Sequence, residues 1–436
     1  MQRGHDGISA LFLPLTMRSQ AEEIGETLMP PTVVIVGTLD TKGEEVGYLK
    51  EVIQQAGCAT VVVDVGVLPS PTIAADITRE QVAAAEGSTL KELLQRKDRR
   101  LAVETMTRGA ASLVQELHRQ DRLSAIVSVG GGTGTHIGTG IMRALPLGVG
   151  KLMVSTVASR DMSQLIGTKD IAVLHSVVDL LGLNPISRRI LVNAASAIVG
   201  MARNAGPISS EKPIIGLTSF GFITEGAMHV KAKLEAFGYE VAPFHANGTG
   251  GMAMEDLVEQ GILSGVVDFA LHEFADNLYN GYCGAIGPER LESAGKRGIP
   301  QVVVPGGLDC IVLEFNSLET MPPNVKGRQV FWYDFRSGVR TSREDVRLLA
   351  RTIGEKLNRT TGPAAFAIPM KGWSEADSAQ GPLYAPETNQ LLIAELSSLL
   401  DNKVEVIEVD AHINDELFAK VVVEKLDAMM KSAVAA

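Results

Sequence analysis

The chain has 436 residues, enough for two or three domains or one large two-lobed unit. Its formal net charge of −11 argues against general nucleic-acid binding, which needs basic stripes to offset backbone phosphates, and against an anionic membrane surface. Hydrophobic residues make up 45% of the chain; glycine is abundant and aromatics are few, a mix that suits α/β architecture with Val, Ile, Leu and Ala in the core. The three cysteines, Cys58, Cys283 and Cys310, are scattered and form no CxxC pair, which fits a reducing, cytoplasmic setting without a disulfide framework. No run is long enough to span a bilayer. The apolar piece Ile8–Leu15 lacks the charged flank and cleavage site of a secretory signal. Residues 1–30 read as a tail, or as an arm that packs on a partner.

Thr32–Thr38 (TVVIVGT) reads as the first strand, followed by a helix with Val46, Leu49, Val52, Ile53 and Ala56 at helical spacing. Ala59–Val67 is a second buried strand, Leu101–Leu117 a long helix, and Ala125–Val129 a third strand that opens into GGGTGTHIGTG. Leu152–Val157 is a fourth strand and Arg188–Met201 a helix. Continuous Val/Ile runs, rather than alternation, point to parallel strands covered on both faces. NAGPISSEKP is the best linker candidate. It separates a first lobe, 31–205, from a second, 206–436.

A second round then begins. Pro213–Phe220, Tyr239–His245, Val266–Leu271 and Gln301–Pro305 read as strands, with a helix over Ala227–Phe237. Phe331–Arg340 reads as extended. Ser342, with Asp345 in the third position, caps a helix that continues through Leu357. A strand (Ala364–Ile368), a long loop (Lys371–Glu387), a helix (Asn389–Leu400), a strand (Val404–Val409) and a last helix complete the lobe. Strands alternating with helices in both halves predict two doubly wound, Rossmann-like lobes with mainly parallel sheets. The parallel between IVGTLDTKGEE and IGLTSFGFITEG makes an internal duplication a plausible reading.

Val129–Gly140 (VGGGTGTHIGTG) carries the strongest chemical signal. Bare amides, Thr hydroxyls and a helix N-terminus converge there, as in an anion cradle. It matches neither a Walker A loop nor a clean GxGxxG, and the alternative is a tight turn packing helix on sheet. TLDTKGEE follows the first strand, and ligands sit at the carboxyl ends of such strands. Thr38, Asp40, Thr41 and Lys42 would face that crevice, with Lys42 on a phosphate and Asp40 on a ribose or Mg²⁺, unless they serve as a solvated cap. Ser155, Thr156, Ser159 and Arg160 end the fourth strand and are phosphate-competent.

In the second lobe, FHANGTGG is another Gly/Thr loop and carries His245. His272-Glu273 and Asp309 follow later strands. Together His245, His272, Glu273 and Asp309 could provide a base, an acid and a backbone oxyanion site. His245, His272 and Glu273 could instead ligate a metal, but their spacing is not diagnostic, and no metal set is assigned. Cys283, in NGYCGAIG, reads as a buried or semi-buried thiol rather than a nucleophile.

GTLDTKGEE, SVGGGTGT, MVSTVASRD, SVVDLLGLNPISRRIL, FHANGTGG and AGKRGIPQVVVPGGLD occur in that order. Together they resemble the family of the ATP-binding N-terminal domain of the tomato mosaic virus resistance protein. The resemblance covers nearly everything after residue 30. It implies two Rossmann-like subdomains, ATP as ligand and self-association; base rates make the assembly a homodimer, and Asp40 could bring Mg with the ATP. The resemblance places nucleotide-site roles on Asp40, Thr41, Lys42, Gly131, Gly132, Thr133, Gly134 and Thr135. The chain departs from the family at Arg160, where Gly is common, and in FWYDFRSGVR. The expectation is therefore an ATP- or nucleotide-binding protein acting on a small anionic metabolite at a cleft between the lobes. Two alternatives stand beside it: a non-catalytic nucleotide-binding regulator, and an enzyme whose Gly/Thr loops hold substrate phosphate without a nucleotide.

Overall fold

The computed structural model describes residues 30–68 and 71–435, so the expected tail or arm and the Ile8–Leu15 piece lie outside the described residues. The described chain divides into two compact units.

The first unit runs β1 (Thr32–Gly37), α1 (Leu39–Gln55), β2 (Ala59–Asp64), α2 (Arg79–Ala85), α3 (Leu90–Arg96), α4 (Arg99–Arg119), β3 (Ala125–Gly130), α5 (Gly132–Arg143), β4 (Gly150–Ser155), α6 (Ser163–Ile166), β5 (Ala172–His175) and α7 (Pro185–Arg203). Its five strands form one sheet in the order β2-β1-β3-β4-β5, and every pairing is parallel. The unbroken valine run of β1 follows from burial on both faces. Val33 and Ile35 join the core under α1 and α7, while Val34 and Val36 join the core under α4 and α5. β1 leads through α1 to β2 on one side, and β3 leads through α5 to β4 on the other. The strand order therefore reverses between β1 and β3, which opens a crevice at their carboxyl ends.

The second unit runs β6 (Ile214–Ser219), α8 (Thr224–Ala236), β7 (Glu240–His245), α9 (Gly250–Glu259), β8 (Gly265–Asp268), α10 (His272–Asn277), α11 (Ser293–Arg297), β9 (Gln301–Val303), β10 (Cys310–Leu313), β11 (Val330–Trp332), β12 (Ser337–Arg340), α12 (Arg343–Leu357), β13 (Ala364–Pro369), α13 (Pro386–Leu399), β14 (Val404–Val409) and α14 (Glu416–Ala435). Six strands make a parallel sheet in the order β14-β13-β9-β8-β6-β7. Read from the β7 edge, this repeats the plan of the first sheet with one strand added, which supports the duplicated reading. α8 and α14 pack on one face, and α12 and α13 on the other.

Phe331–Arg340 is not a single extended run. It folds back as part of a small antiparallel sheet, β10-β12-β11. The Ser342 cap forms as the sequence predicts: its hydroxyl accepts the Asp345 amide, and the Asp345 carboxylate accepts the Ser342 amide. The Lys371–Glu387 loop has no long helix or strand but is packed, with Trp373 and Leu383 fully buried. No helix among the described residues is long and apolar enough to cross a membrane.

Candidate functional site

A cavity of about 700 Å³ occupies the crevice of the first unit. Two polar loops form its floor: Thr38, Asp40, Thr41 and Lys42 after β1, and Gly131, Gly132, Thr133 and Gly134 after β3. One wall comes from 65–68 after β2. The other comes from α3 and α4, through Leu93, Leu94, Ala102, Val103 and Met106, with Lys97, Asp98 and Arg99 in the turn between those helices.

The glycines at the mouth of β3 divide into two kinds. Gly130 and Gly138 are needed for packing: a Cβ would lie 2.7 Å from the Gly134 Cα in one case and 2.4 Å from the Ser128 hydroxyl in the other. The cavity glycines are under no such constraint. A Cβ on Gly132 would meet nothing within 4 Å. On Gly131 it would meet only the Thr156 hydroxyl at 3.7 Å, and on Gly134 only the Val129 carbonyl at 3.7 Å. None of the three adopts a positive φ. Gly131 is the N-cap of α5 and supplies no side-chain acceptor. The first amides of a helix have no partner within it, so those of α5 reach the cavity wall as bare donors. The Arg99 guanidinium stands beside them, donating to the Thr133 hydroxyl at 2.9 Å. Lys97 ends α3 at φ 52°, a left-handed conformation that a lysine adopts at a cost, and so aims the turn at the rim.

Of the other residues expected at this site, Asp40 and Lys42 line the floor with their charged groups already partnered, while Thr135, Ser155 and Arg160 lie outside the lining. The Asp40 carboxylate accepts the Leu68 amide at 2.9 Å and lies 3.8 Å from Arg79, so it ties the β2 loop to the β1 loop. Arg79 itself is held by Asp64 at 2.6 Å. The Lys42 ammonium donates to the Leu180 carbonyl. Thr135 and Ser155 are fully buried and share a 2.7 Å hydrogen bond beneath the loop rather than lining the cavity. Thr156 donates its amide to the Gly130 carbonyl and stands next to Gly131. Arg160 lies exposed in a turn outside the cavity lining.

The second unit treats its equivalent position in the opposite way. Where β6 and β8 end, the fully buried Arg290 fills the crevice. Its guanidinium reaches Asp268 at 2.7 Å, Glu273 at 2.8 Å and Glu255 at 3.3 Å. Thr218 donates to Asp268 at 2.7 Å. Burial holds the Glu255 carboxyl above the usual carboxylate range, against the pull of Arg290. FHANGTGG has no free amides to offer. Glu273 accepts those of Gly248 and Gly251, and the Asn247 side chain accepts those of Thr249 and Gly250. Its glycines are steric necessities: a Cβ would lie 2.0 Å from the Gly284 carbonyl at Gly248, and 1.9 Å from the His245 carbonyl at Gly250.

The four residues grouped by sequence in this unit have separate partners. His245 is exposed at the end of β7. His272 is fully buried and stacks on Phe220 at 4.2 Å. Glu273 belongs to the Arg290 network. Asp309 accepts the Ser374 hydroxyl at 2.7 Å, and burial together with Asp377 pushes its carboxyl up to about 7. The signals that sequence reading missed are the α3–α4 wall and Arg290. Neither stands in a glycine-rich or strand-end motif.

Fold and crevice together define a protein of two Rossmann-like units, one with an open cavity at its crevice and one whose crevice is plugged by an arginine. The chain belongs to the uncharacterised protein family UPF0261: residues 31–207 match the model of its N-terminal domain and 212–430 that of its C-terminal domain. It is 42% identical over 406 residues to a UPF0261 protein of Clostridium tetani, covering 92% of this chain and 100% of that one. It is 32% identical over 426 residues to the ToMV resistance protein Tm-1(GCR237) of Solanum lycopersicum, covering 90% of this chain and 55% of that protein. Among solved structures, a putative UDP-N-acetylglucosamine 2-epimerase from Listeria monocytogenes matches at 11% identity with a TM-score of 0.23, over 63% of this chain and 79% of that one.

Proposed function

We propose that the first unit binds a nucleotide, with ATP as the favoured ligand. Its phosphates sit on the amides of Gly132–Gly134, and its base sits against the α3–α4 wall. One observation carries the reading. Gly131, Gly132 and Gly134 are glycine although neither packing nor backbone conformation requires it. The remaining physical reason for a bare backbone there is the close approach of another molecule. The cavity is in the size range of small-molecule sites, and Arg99 adds a charge suited to phosphate.

The apolar wall favours a nucleotide over a bare phosphate group. Leu93, Leu94, Val103 and Met106 give a planar base something to lie on, whereas a phosphate gains nothing from them. The net charge of −11 does not oppose this, because the donors are local and fixed. In this reading a small anionic metabolite is a second ligand, and of His245, His272, Glu273 and Asp309 the exposed His245 is the one whose substitution tests for turnover without disturbing a buried contact.

Titration calorimetry with ATP, ADP and inorganic phosphate, each with and without Mg²⁺, tests the proposal. Saturable binding of ATP or ADP that is far tighter than binding of phosphate supports it. Equal, weak heats for all three ligands contradict it.

A further inference from the structure

The second unit holds a cluster that neither the Arg290 network nor the first-unit cavity explains. One donor atom each from His272, Asp276 and Cys283 lies within 4.8 Å of the others, and all three residues are buried. His272 and Asp276 stand one turn apart on α10, with Nδ1 and Oδ1 separated by 3.8 Å. Cys283 is brought back to them by a tight turn. Asn280 takes a left-handed φ of 50°, the Gly281 amide donates to the Asp276 carbonyl at 2.8 Å, and the Cys283 amide donates to the Asp276 carboxylate at 2.8 Å. The Val312 amide, at 2.6 Å, fixes the other carboxylate oxygen.

His272 is the independent observation. It is fully buried, and neither ring nitrogen completes a hydrogen bond of normal geometry, the Ala246 backbone being only a weak contact. Buried imidazoles without partners are costly and rare. The ring is held by its stack on Phe220, at an interplanar angle of 8°, so it cannot turn away. We propose that His272, Asp276 and Cys283 are the ligands of a single zinc-class dication.

Charge and softness agree. A neutral imidazole, a carboxylate and a thiolate sum to −2, which one dication cancels. The other charges acting on the cluster are Glu273, His245 and Arg336. A thiolate and an imidazole select zinc-like ions over magnesium or calcium. Metal–ligand bonds of about 2.0–2.3 Å require the three donors to draw in slightly, as ligands do on metal entry. Three protein ligands leave a fourth position, and a cavity of about 320 Å³ lined by Asn280, Gly281 and Tyr282 adjoins the same turn.

The test uses the full chain, stripped with a chelator and titrated with Co²⁺. The proposal expects one equivalent bound, with a near-ultraviolet thiolate-to-cobalt charge-transfer band that an equivalent of Zn²⁺ abolishes. The band survives Cys58→Ala and Cys310→Ala, which assigns it to Cys283 even should Cys283→Ala fail to fold. In folded Cys283→Ala the band is lost, and in His272→Ala the affinity drops at least tenfold. Absence of stoichiometric cobalt binding, a cobalt complex without the thiolate band, or a band that persists in Cys283→Ala or disappears in Cys58→Ala or Cys310→Ala overturns it.

Discussion

Glu273 and Arg290 form a buried ion pair at 2.8 Å, and the same carboxylate takes the Gly248 amide on its other oxygen. With Asn247, this side chain closes the second Gly/Thr loop, whereas the corresponding loop of the first unit stays open. Glu273→Gln removes one of the three carboxylates on Arg290, which keeps Asp268, and weakens the bonds from the Gly248 and Gly251 amides, so it is expected to cost about 1–3 kcal/mol in urea unfolding. Nucleotide affinity of the first unit stays unchanged. A Glu273→Gln protein as stable as the parent would mean that the carboxylate serves something other than the fold.

Thr135 and Ser155 share a buried 2.7 Å hydrogen bond below the first loop. Thr135→Val is expected to lose about 1–2 kcal/mol of stability while keeping nucleotide affinity within about twofold. A large loss of affinity with stability intact would place the Thr135 hydroxyl on the ligand.

Lys97 carries a left-handed φ of 52° at the cavity rim. Glycine adopts that conformation without strain, so Lys97→Gly is expected to raise stability by up to about 1 kcal/mol. It also removes a cation beside the phosphates, and affinity for ATP falls several-fold. Thermal unfolding with and without ATP reads both effects. A parallel fall in stability and affinity contradicts the assignment of strain to function.

Much of the first unit is readable from its residues. The valine runs of β1 and β3 announce strands buried on both faces, and GGGTGT marks the turn where the sheet reverses. The α3–α4 wall is harder to see, because its helix over Leu90–Arg96 is only two turns long and gives little periodicity. The two Gly/Thr loops look alike as sequence. Yet two amides of FHANGTGG are taken by its own Asn247, a difference visible in the sequence, while the other two go to Glu273, which reaches the loop only through tertiary folding. The same holds for Cys283, which joins His272 and Asp276 by way of a left-handed Asn280.

Asp309 gives the pH dependence a sign. Its carboxyl, pushed up to about 7 by burial and by Asp377, binds a proton in the folded state that the unfolded chain releases near pH 4. The group's contribution is therefore fully present below pH 4 and lost as pH rises through 7, at up to about 1.4 kcal/mol per pH unit. Asp309→Asn removes that dependence. Urea midpoints at pH 5 and pH 8 should show the variant gaining on the parent at pH 8; equal differences at both values contradict the assignment.

The most direct test of the nucleotide site is Gly132→Val, measured by ATP calorimetry alongside urea unfolding. The added Cβ meets nothing in the protein, so stability is expected to change by no more than about 0.5 kcal/mol. The side chain would instead stand where the phosphates lie, and ATP affinity should fall at least tenfold. A stable Gly132→Val protein that binds ATP as tightly as the parent would contradict the account.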